Sequence, residues 1–158
     1  MTDAIAIRAA SAAEAECVLA IMRRAFGAYR GRLVPESSVF TETVPAIAEK
    51  LAGGGGLLAD QGSKAVGCVI AEDLGDRAYL GRLSVDPGMR GLGLGRRLAL
   101  RAEDFARSRG RALIELNVRI ALPGNIAFFE SLGYRETERR AHPGYPEPTY
   151  LVMEKSLE

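Results

Sequence analysis

The chain has 158 residues, of which 47% are apolar and 26% are charged. This composition excludes an intrinsically disordered protein and predicts one domain with a buried core. The formal net charge of +1 gives no overall attraction to nucleic acid or to an anionic membrane, so we expect neither as a partner.

The first third of the chain predicts one strand and two helices. The strand is "AIAIRAA", and Ser11 with Glu14 has the spacing of a capping box that begins a helix over residues 12–28. A second short helix is predicted in "TVPAIAEKLA". The four glycines after it, Gly53 to Gly56, predict a flexible connection to the next strand.

The rest of the chain predicts strands alternating with two helices. Strands are predicted in "GLLAD", "AVGCVIAE" and "AYLGRLSV", and a helix follows that ends at Gly110. Next come a strand in "LIELNV", a short helix in "NIAFFESL", and two strands in "YRETER" and "TYLVMEK", joined by the loop "AHPGYPEP". This order predicts a single mixed α/β domain over residues 1–158.

The two cysteines and the termini carry no functional signal. Cys17 lies in a predicted helix and Cys68 in a predicted strand, each without a second Cys or His nearby. We therefore expect two buried, reduced thiols and neither a disulfide nor a metal site. The sequence has no basic leader and no apolar run of signal-peptide or membrane-spanning length, so we expect a cytoplasmic protein.

One segment, "DPGMRGLGLGRRLA" (Asp86–Ala99), has an unusual charge pattern. It places Arg90, Arg96 and Arg97 at the beginning of a helix, where unpaired N–H groups and the helix dipole already favour negative charge. A bound anion would balance these charges. A Walker loop would need Lys and a hydroxyl residue where Arg96 and Arg97 stand, and a dinucleotide fingerprint would need glycine at Arg96, so both motifs are excluded.

The motif R-x-x-G-x-G remains, here Arg90-Gly91-Leu92-Gly93-Leu94-Gly95 directly after the strand that ends in "LSV". It resembles the acyl-coenzyme A pyrophosphate loop of the GNAT superfamily of N-acetyltransferases. "NIAFFESLGY" (Asn125–Tyr134) resembles the second coenzyme-contacting helix of that family, and the order of elements from Ile5 to Lys155 also fits. The resemblance implies a GNAT-like α/β fold, with a mixed, mainly antiparallel central sheet flanked by helices.

The resemblance also implies how acetyl-coenzyme A is bound, where two neighbouring strands separate. The strand Leu83–Val85 would pair with the pantetheine arm, and the Val85 amide would face the thioester carbonyl. Main-chain N–H groups of the loop would hold the pyrophosphate, with Arg90, Arg96 or Arg97 as charged donors. Asn125 would contact the pantetheine arm, although it could equally be a helix N-cap. The predicted coenzyme-binding residues are Leu83, Ser84, Val85, Arg90, Gly91, Leu92, Gly93, Leu94, Gly95, Arg96, Asn125 and Phe129.

The sequence departs from the family at both proton-transfer positions. Many relatives have a tyrosine acid where this chain has Phe129, and the branch that acetylates ribosomal proteins has a glutamate base where Asn117 stands. Neither side chain can transfer a proton. The candidate catalytic residues are His142, the one histidine, and Tyr145, because their loop borders the acceptor pocket in this family and histidine titrates near neutrality.

Three explanations of these departures stay open. Positioning alone could suffice without a dedicated acid, His142 could serve as the base, or the protein could bind acyl-coenzyme A as a non-catalytic sensor or regulatory domain. Glu72, Tyr134 and Tyr150 are weaker candidates, and we expect Tyr134 to pack in the core. We predict acetyl transfer to a primary amine of a small molecule or peptide, in a ternary complex and without a metal. Related proteins also make a homodimer a reasonable expectation.

Overall fold

A seven-stranded mixed sheet forms the centre of the fold, as seen in a computed structural model that describes residues 4–158. Its strand order is β1-β2-β3-β4-β5-β7-β6, and only the β4–β5 pair is parallel. This confirms the predicted fold class. The strands are β1 (Ile5–Ala9), β2 (Gly56–Gln61), β3 (Lys64–Asp73), β4 (Ala78–Val85), β5 (Leu113–Arg119), β6 (Arg135–Arg140) and β7 (Tyr150–Ser156).

Within residues 4–158, four α-helices cover the two faces of the sheet. They are α1 (Ala15–Phe26), α2 (Val44–Leu51), α3 (Leu94–Ser108) and α4 (Pro123–Ser131). Successive strand residues point to opposite faces, so Cys68 and Ile70 of β3 pack with α1 and α2, whereas Val69 and Ala71 pack with α3. The core is therefore split into two apolar clusters, one on each face of the sheet.

Helix α1 is shorter than the sequence predicts, and its cysteine is not buried. A 3-10 turn over Ala12–Glu14 precedes it, and the Glu14 carboxylate accepts a hydrogen bond from the Ser11 N–H at 3.1 Å, as in the predicted capping box. Cys17 is exposed, so the prediction of a buried thiol is wrong there. The reason is helical geometry, because Val18, Ile21 and Met22 form the buried stripe and position 17 points away from it.

The second cysteine is buried as predicted. The Cys68 Sγ donates to the Arg82 carbonyl oxygen at 3.5 Å, and burial raises the pKa of this thiol to about 12. The thiol is therefore protonated at neutral pH, which makes it a poor nucleophile.

Strands β4 and β5 separate after a short parallel contact. They pair only at Ala78 with Ile114 and at Tyr79 with Glu115. Further along, two β4 residues, Arg82 and Leu83, stand opposite a single β3 residue, and Arg82 has a positive φ of 59°. Such a β-bulge bends the strand that contains it. The bend turns β4 away from β5 and opens a cavity of about 990 Å³ between the two strands.

Two features are not found among the residues described. No helix within residues 4–158 is long and apolar enough to cross a membrane. Across that same range, no group of three or more His, Cys, Asp or Glu side chains is placed to hold a metal ion.

Candidate active site

The main chain of β4 lines the cavity with free N–H groups. The Asp86 N–H donates to the Val66 carbonyl oxygen at 2.8 Å, so it points towards β3. Because N–H groups alternate in direction along a strand, those of Leu83 and Val85 point the other way, into the gap that β5 has left. The end of β4 therefore offers the cavity two main-chain donors.

The loop after β4 supplies a second group of free donors. Gly91 and Gly93 adopt left-handed conformations, with φ values of 81° and 77°, which glycine adopts without strain. The consecutive N–H groups from Gly91 to Arg96 have no acceptor within the described part of the chain. Those in the first turn of α3 are free because no helical carbonyl lies four residues before them. Together they form a concave main-chain site suited to an anion.

The three arginines of this segment have different partners. The Arg90 Nη2 donates to the Ala25 carbonyl oxygen at 2.6 Å, near the end of α1. The Arg97 Nη2 donates to the Ile5 carbonyl oxygen at 3.1 Å. Arg96 lines the cavity, is exposed, and has no hydrogen-bond partner in residues 4–158. Arg96 is thus the guanidinium most directly available to an anion at the loop.

All but one of the predicted coenzyme-binding residues line the cavity. The exception is Leu92, which is 63% exposed at the tip of the loop. Asn125 lines the cavity and is not a helix N-cap, since Leu122 occupies the N-cap position of α4, so that alternative is wrong. The residues that do line it are Leu83, Ser84, Val85, Arg90, Gly91, Gly93, Leu94, Gly95, Arg96, Asn125 and Phe129.

Aromatic rings from α4 form an apolar wall beside the loop. Phe128 and Phe129 meet edge to face with ring centroids 5.0 Å apart, and both line the cavity. A Cβ atom on Gly95 would lie 3.4 Å from the Phe128 ring, so the beginning of α3 passes close to this wall. Phe129 itself contacts Tyr134, at a centroid distance of 5.7 Å.

Tyr134 belongs to the core, as predicted. Its hydroxyl donates to the buried Glu103 carboxylate at 3.1 Å, and the Lys155 Nζ donates to the other oxygen of that carboxylate at 2.9 Å. Burial, with the negative charge of Glu103, raises the pKa of Tyr134. Its phenol is held in this buried network and does not line the cavity.

His142 also lines the cavity, beside Tyr150 and near Arg119. Its ring Nδ1 shares a hydrogen bond with the Thr149 hydroxyl, and its main-chain N–H donates to the same oxygen at 3.0 Å. Burial, and to a smaller extent the positive charge of Arg119, lower the pKa of His142. The imidazole is therefore neutral at pH 7, which is the form that can accept a proton.

Tyr145 does not line the cavity. Its ring meets the His142 ring edge to face at a centroid distance of 6.4 Å, while Tyr150, which does line the cavity, is closer to that ring at 5.1 Å. The histidine ring is thus enclosed by two tyrosines.

Several cavity residues are not identified by the sequence reasoning. Arg82 is held by Glu42, with an Nη2–Oε2 distance of 2.8 Å. Arg119 donates to the main-chain oxygen of Glu36 at 3.1 Å. Alternation along β5 places Arg119 on the same face as Asn117, and this is the one signal that could have identified it. The other such residues come from α1, from the segment before α2, from the sheet, from α4 and from loops: Ala25, Phe26, Tyr29, Pro35, Ser37, Ser38, Val39, Thr41, Tyr79, Leu80, Gly81, Met89, Leu116, Val118, Leu122, Phe128 and Pro143.

The cleft and the loop together define a class of protein. A sheet that opens between two strands, beside a glycine-rich loop of free N–H groups, suits a transferase that binds a long cosubstrate by its phosphates. The sequence profile of the Acetyltransferase (GNAT) family matches residues 19–134. The chain belongs to this family.

One curated relative agrees with this assignment. An uncharacterized N-acetyltransferase of Methanocaldococcus jannaschii, MJ1207, is 39% identical over 61 residues, which is 39% of this chain and 27% of that protein. The chain thus matches well under half the length of this curated relative.

Solved structures share the fold over nearly the whole chain. The PaiA N-acetyltransferase of Thermoplasma acidophilum, crystallised with coenzyme A, superposes with a TM-score of 0.83 at 20% identity over 97% of this chain and 99% of that one. The ribosomal-protein-S18-alanine N-acetyltransferase of Escherichia coli superposes with a TM-score of 0.77 at 24% identity over 98% and 94% of the two chains. At these identities the likeness is one of fold.

Proposed function

We propose that this chain, as one domain, transfers an acetyl group from acetyl-coenzyme A to a primary amine. One observation carries the proposal: the free N–H groups of Gly91–Arg96 and those of Leu83 and Val85 face the same cavity. The first group suits a diphosphate and the second suits an extended amide chain, and coenzyme A contains both. Membership of the GNAT family supports this assignment.

The residues present fit the coenzyme along its length. The loop N–H groups would bind the pyrophosphate oxygens, with the Arg96 guanidinium as a charge-assisted donor. Leu83, Ser84 and Val85 would pair with the pantetheine arm as an added strand does, and Asn125 would supply a polar contact to it. Phe128 and Phe129 would cover the apolar side of the arm.

The acetyl group, which acetyl-coenzyme A supplies as a thioester, passes directly to the amine in a ternary complex. The Val85 N–H would stabilise the negative charge that develops on the carbonyl oxygen. The cysteines support direct transfer, because neither of them lines the cavity and the buried Cys68 thiol stays protonated. No residue of the chain therefore needs to carry the acetyl group.

His142 is the proposed general base. Thr149 receives a hydrogen bond from the His142 main-chain N–H and lies 3.5 Å from the Arg140 carbonyl oxygen, to which its own hydroxyl proton would point. In that arrangement His142 donates from Nδ1 to Thr149, which leaves Nε2 as the proton acceptor. Tyr145, packed edge-on against the ring, would hold its orientation. Phe129 cannot donate a proton to the coenzyme A thiolate. The thiolate would therefore leave without protonation by a side chain of α4.

A second candidate function is a coenzyme sensor that does not transfer the acetyl group. The observation that favours it is the pair Asn117 and Phe129, two cavity side chains that cannot move protons. A sensor would bind acetyl-coenzyme A through the same loop and strand.

The deciding experiment follows free thiol release while the protein is incubated with acetyl-coenzyme A and a panel of primary amines. Amine-dependent thiol release above that of a matched reaction without protein supports the transferase. Tight coenzyme binding by calorimetry, with no amine-dependent release at any pH between 6 and 9, would support the sensor instead. Failure to bind coenzyme A at all would refute both functions.

A further inference from the structure

Apart from the arginines of the glycine-rich loop, two guanidinium groups line the cavity, those of Arg82 and Arg119, and Arg119 lies near His142. The charge of Arg82 is already balanced by Glu42. Arg119 forms no ion pair with any carboxylate of residues 4–158, and its one hydrogen bond there is to the main-chain oxygen of Glu36. Of these two cations, Arg119 is therefore the one without an ion-pair partner in the described residues.

Arg119 shares one face of β5 with Asn117. Leu116 and Val118 of this strand are buried in the core, so Asn117 and Arg119 lie together on the opposite face. Both line the cavity, and Arg119 makes no ion pair in the part of the chain that the structure describes. The strand therefore presents an amide and a guanidinium at neighbouring positions, both of which carry N–H donors.

Glu36 is the one acidic residue that lines this cavity within the described range, and its carboxylate forms no ion pair with Arg119. Glu36 is exposed, and its carboxylate accepts a hydrogen bond from the Gly31 N–H at 3.0 Å. Burial lowers the pKa of Arg119, although the charge of Glu36 opposes this effect. A partly buried cation without an ion-pair partner is stabilised by a ligand anion, and it repels a second ammonium group.

We infer that the acceptor amine carries a carboxylate, which Arg119 binds and to which the Asn117 amide donates. The inference rests on the proposed function, since it names the substrate class of the same site. A carboxylate is the group that matches a guanidinium in shape, because its two oxygens accept two parallel N–H bonds. With its carboxylate on β5, such an acceptor would extend its amine towards His142 and the N–H groups of β4.

The test uses pairs of short aliphatic primary amines, each with and without a terminal carboxylate. Free thiol release from acetyl-coenzyme A is measured for both members of each pair. We expect kcat/KM to be about 10- to 100-fold higher for the carboxylate-bearing member of the best pair, the range expected of one charge-assisted contact. Arg119→Gln should remove this preference, and Arg119→Lys should keep part of it because the charge remains.

The matched control is Arg135→Gln, which removes a guanidinium exposed on β6 and outside the cavity. It should leave the preference unchanged. The inference is overturned if the wild-type protein prefers a diamine or the amine without a carboxylate. It is also overturned if it prefers a peptide N-terminus with no carboxylate near its amine, or if Arg119→Gln slows both members of a pair equally.

Binding separates this inference from the proposed function. The same amines are titrated by calorimetry into the protein saturated with coenzyme A, so that no turnover is needed. Carboxylate-dependent binding that Arg119→Gln abolishes, with no acetylation of any amine, would support the Arg119 contact and refute the transferase. Acetylation of an amine, with no effect of Arg119→Gln on binding or on the carboxylate preference, would support the transferase and refute the Arg119 contact.

Discussion

The glycine of the loop at the beginning of α3 provides the sharpest test of coenzyme binding. Gly93 has a φ of 77°, and a Cβ atom there would have nothing within 4 Å. Valine at this position is strained by about 1–2 kcal/mol in the left-handed conformation, with no steric clash in addition. Because no neighbour confines the new side chain, we expect the loop of Gly93→Val to relieve the strain by leaving that conformation.

The expected loss of affinity follows from the donors that would move. The N–H groups from Gly91 to Arg96 converge only while the loop keeps its left-handed turns. Each hydrogen bond to a charged phosphate contributes about 1.5–3 kcal/mol to binding. The loss of two such bonds therefore weakens the binding free energy by at least about 3 kcal/mol. Since 1.4 kcal/mol is tenfold in Kd, coenzyme A should bind about 100-fold more weakly.

The assay is calorimetric titration of coenzyme A, with a control that carries the same strain elsewhere. Gly110, after the end of α3, has a φ of 75°, and a Cβ atom added to it would likewise meet nothing within 4 Å. Gly110→Val should lower Tm about as much as Gly93→Val does, and it should leave the Kd for coenzyme A unchanged. The reasoning would be refuted if folded Gly93→Val bound coenzyme A within threefold of the wild-type Kd.

Three further predictions concern the base, the thiols and the buried ion pair. The wild-type kcat should fall as the pH drops below 6.5, because protonation removes the acceptor form of His142, and His142→Gln should lower kcat about 100-fold and abolish that inflection. A maleimide should label Cys17 but not Cys68 in the folded protein, and both after denaturation, as counted by mass spectrometry. In urea unfolding, Glu103→Gln should lose about 2–4 kcal/mol of stability, because Lys155 loses its partner, with coenzyme affinity unchanged.

Local patterns predicted the fold well because each depends on neighbours in the chain. The strand Ala78–Val85 has the bounds expected from its sequence, and the glycine turns after it adopt the left-handed conformations that glycine permits. Cys17 shows the limit of such patterns. An apolar residue type within a helix predicts burial only if its position falls on the buried stripe, and here it does not.

The part of the cavity around Arg119 and His142, where we propose that the acceptor binds, could not be predicted in the same way. It joins Arg119 of β5 to the segment around Glu36 and to the loop of His142, and residues 36 and 119 are far apart in sequence. Which charges remain uncompensated there depends on partners such as Glu42, which binds Arg82 from a distant part of the chain. The sequence shows which residues are cations, whereas their ion-pair partners depend on the tertiary structure.

The arginines at the beginning of α3 show how pairing changes the meaning of a charge. The positive charges of Arg90 and Arg97 lie near the positive end of the α3 dipole, which is unfavourable for a cation. Both guanidinium groups, however, donate to main-chain carbonyl oxygens of other elements. The partner of Arg90, the Ala25 carbonyl, lies near the end of α1, where the dipole is negative, so this contact attaches the loop to α1. Two of the three arginines thus fix the loop in place. The third, Arg96, has no hydrogen-bond partner within residues 4–158, so a preformed main-chain site and one unpaired charge line the cavity together.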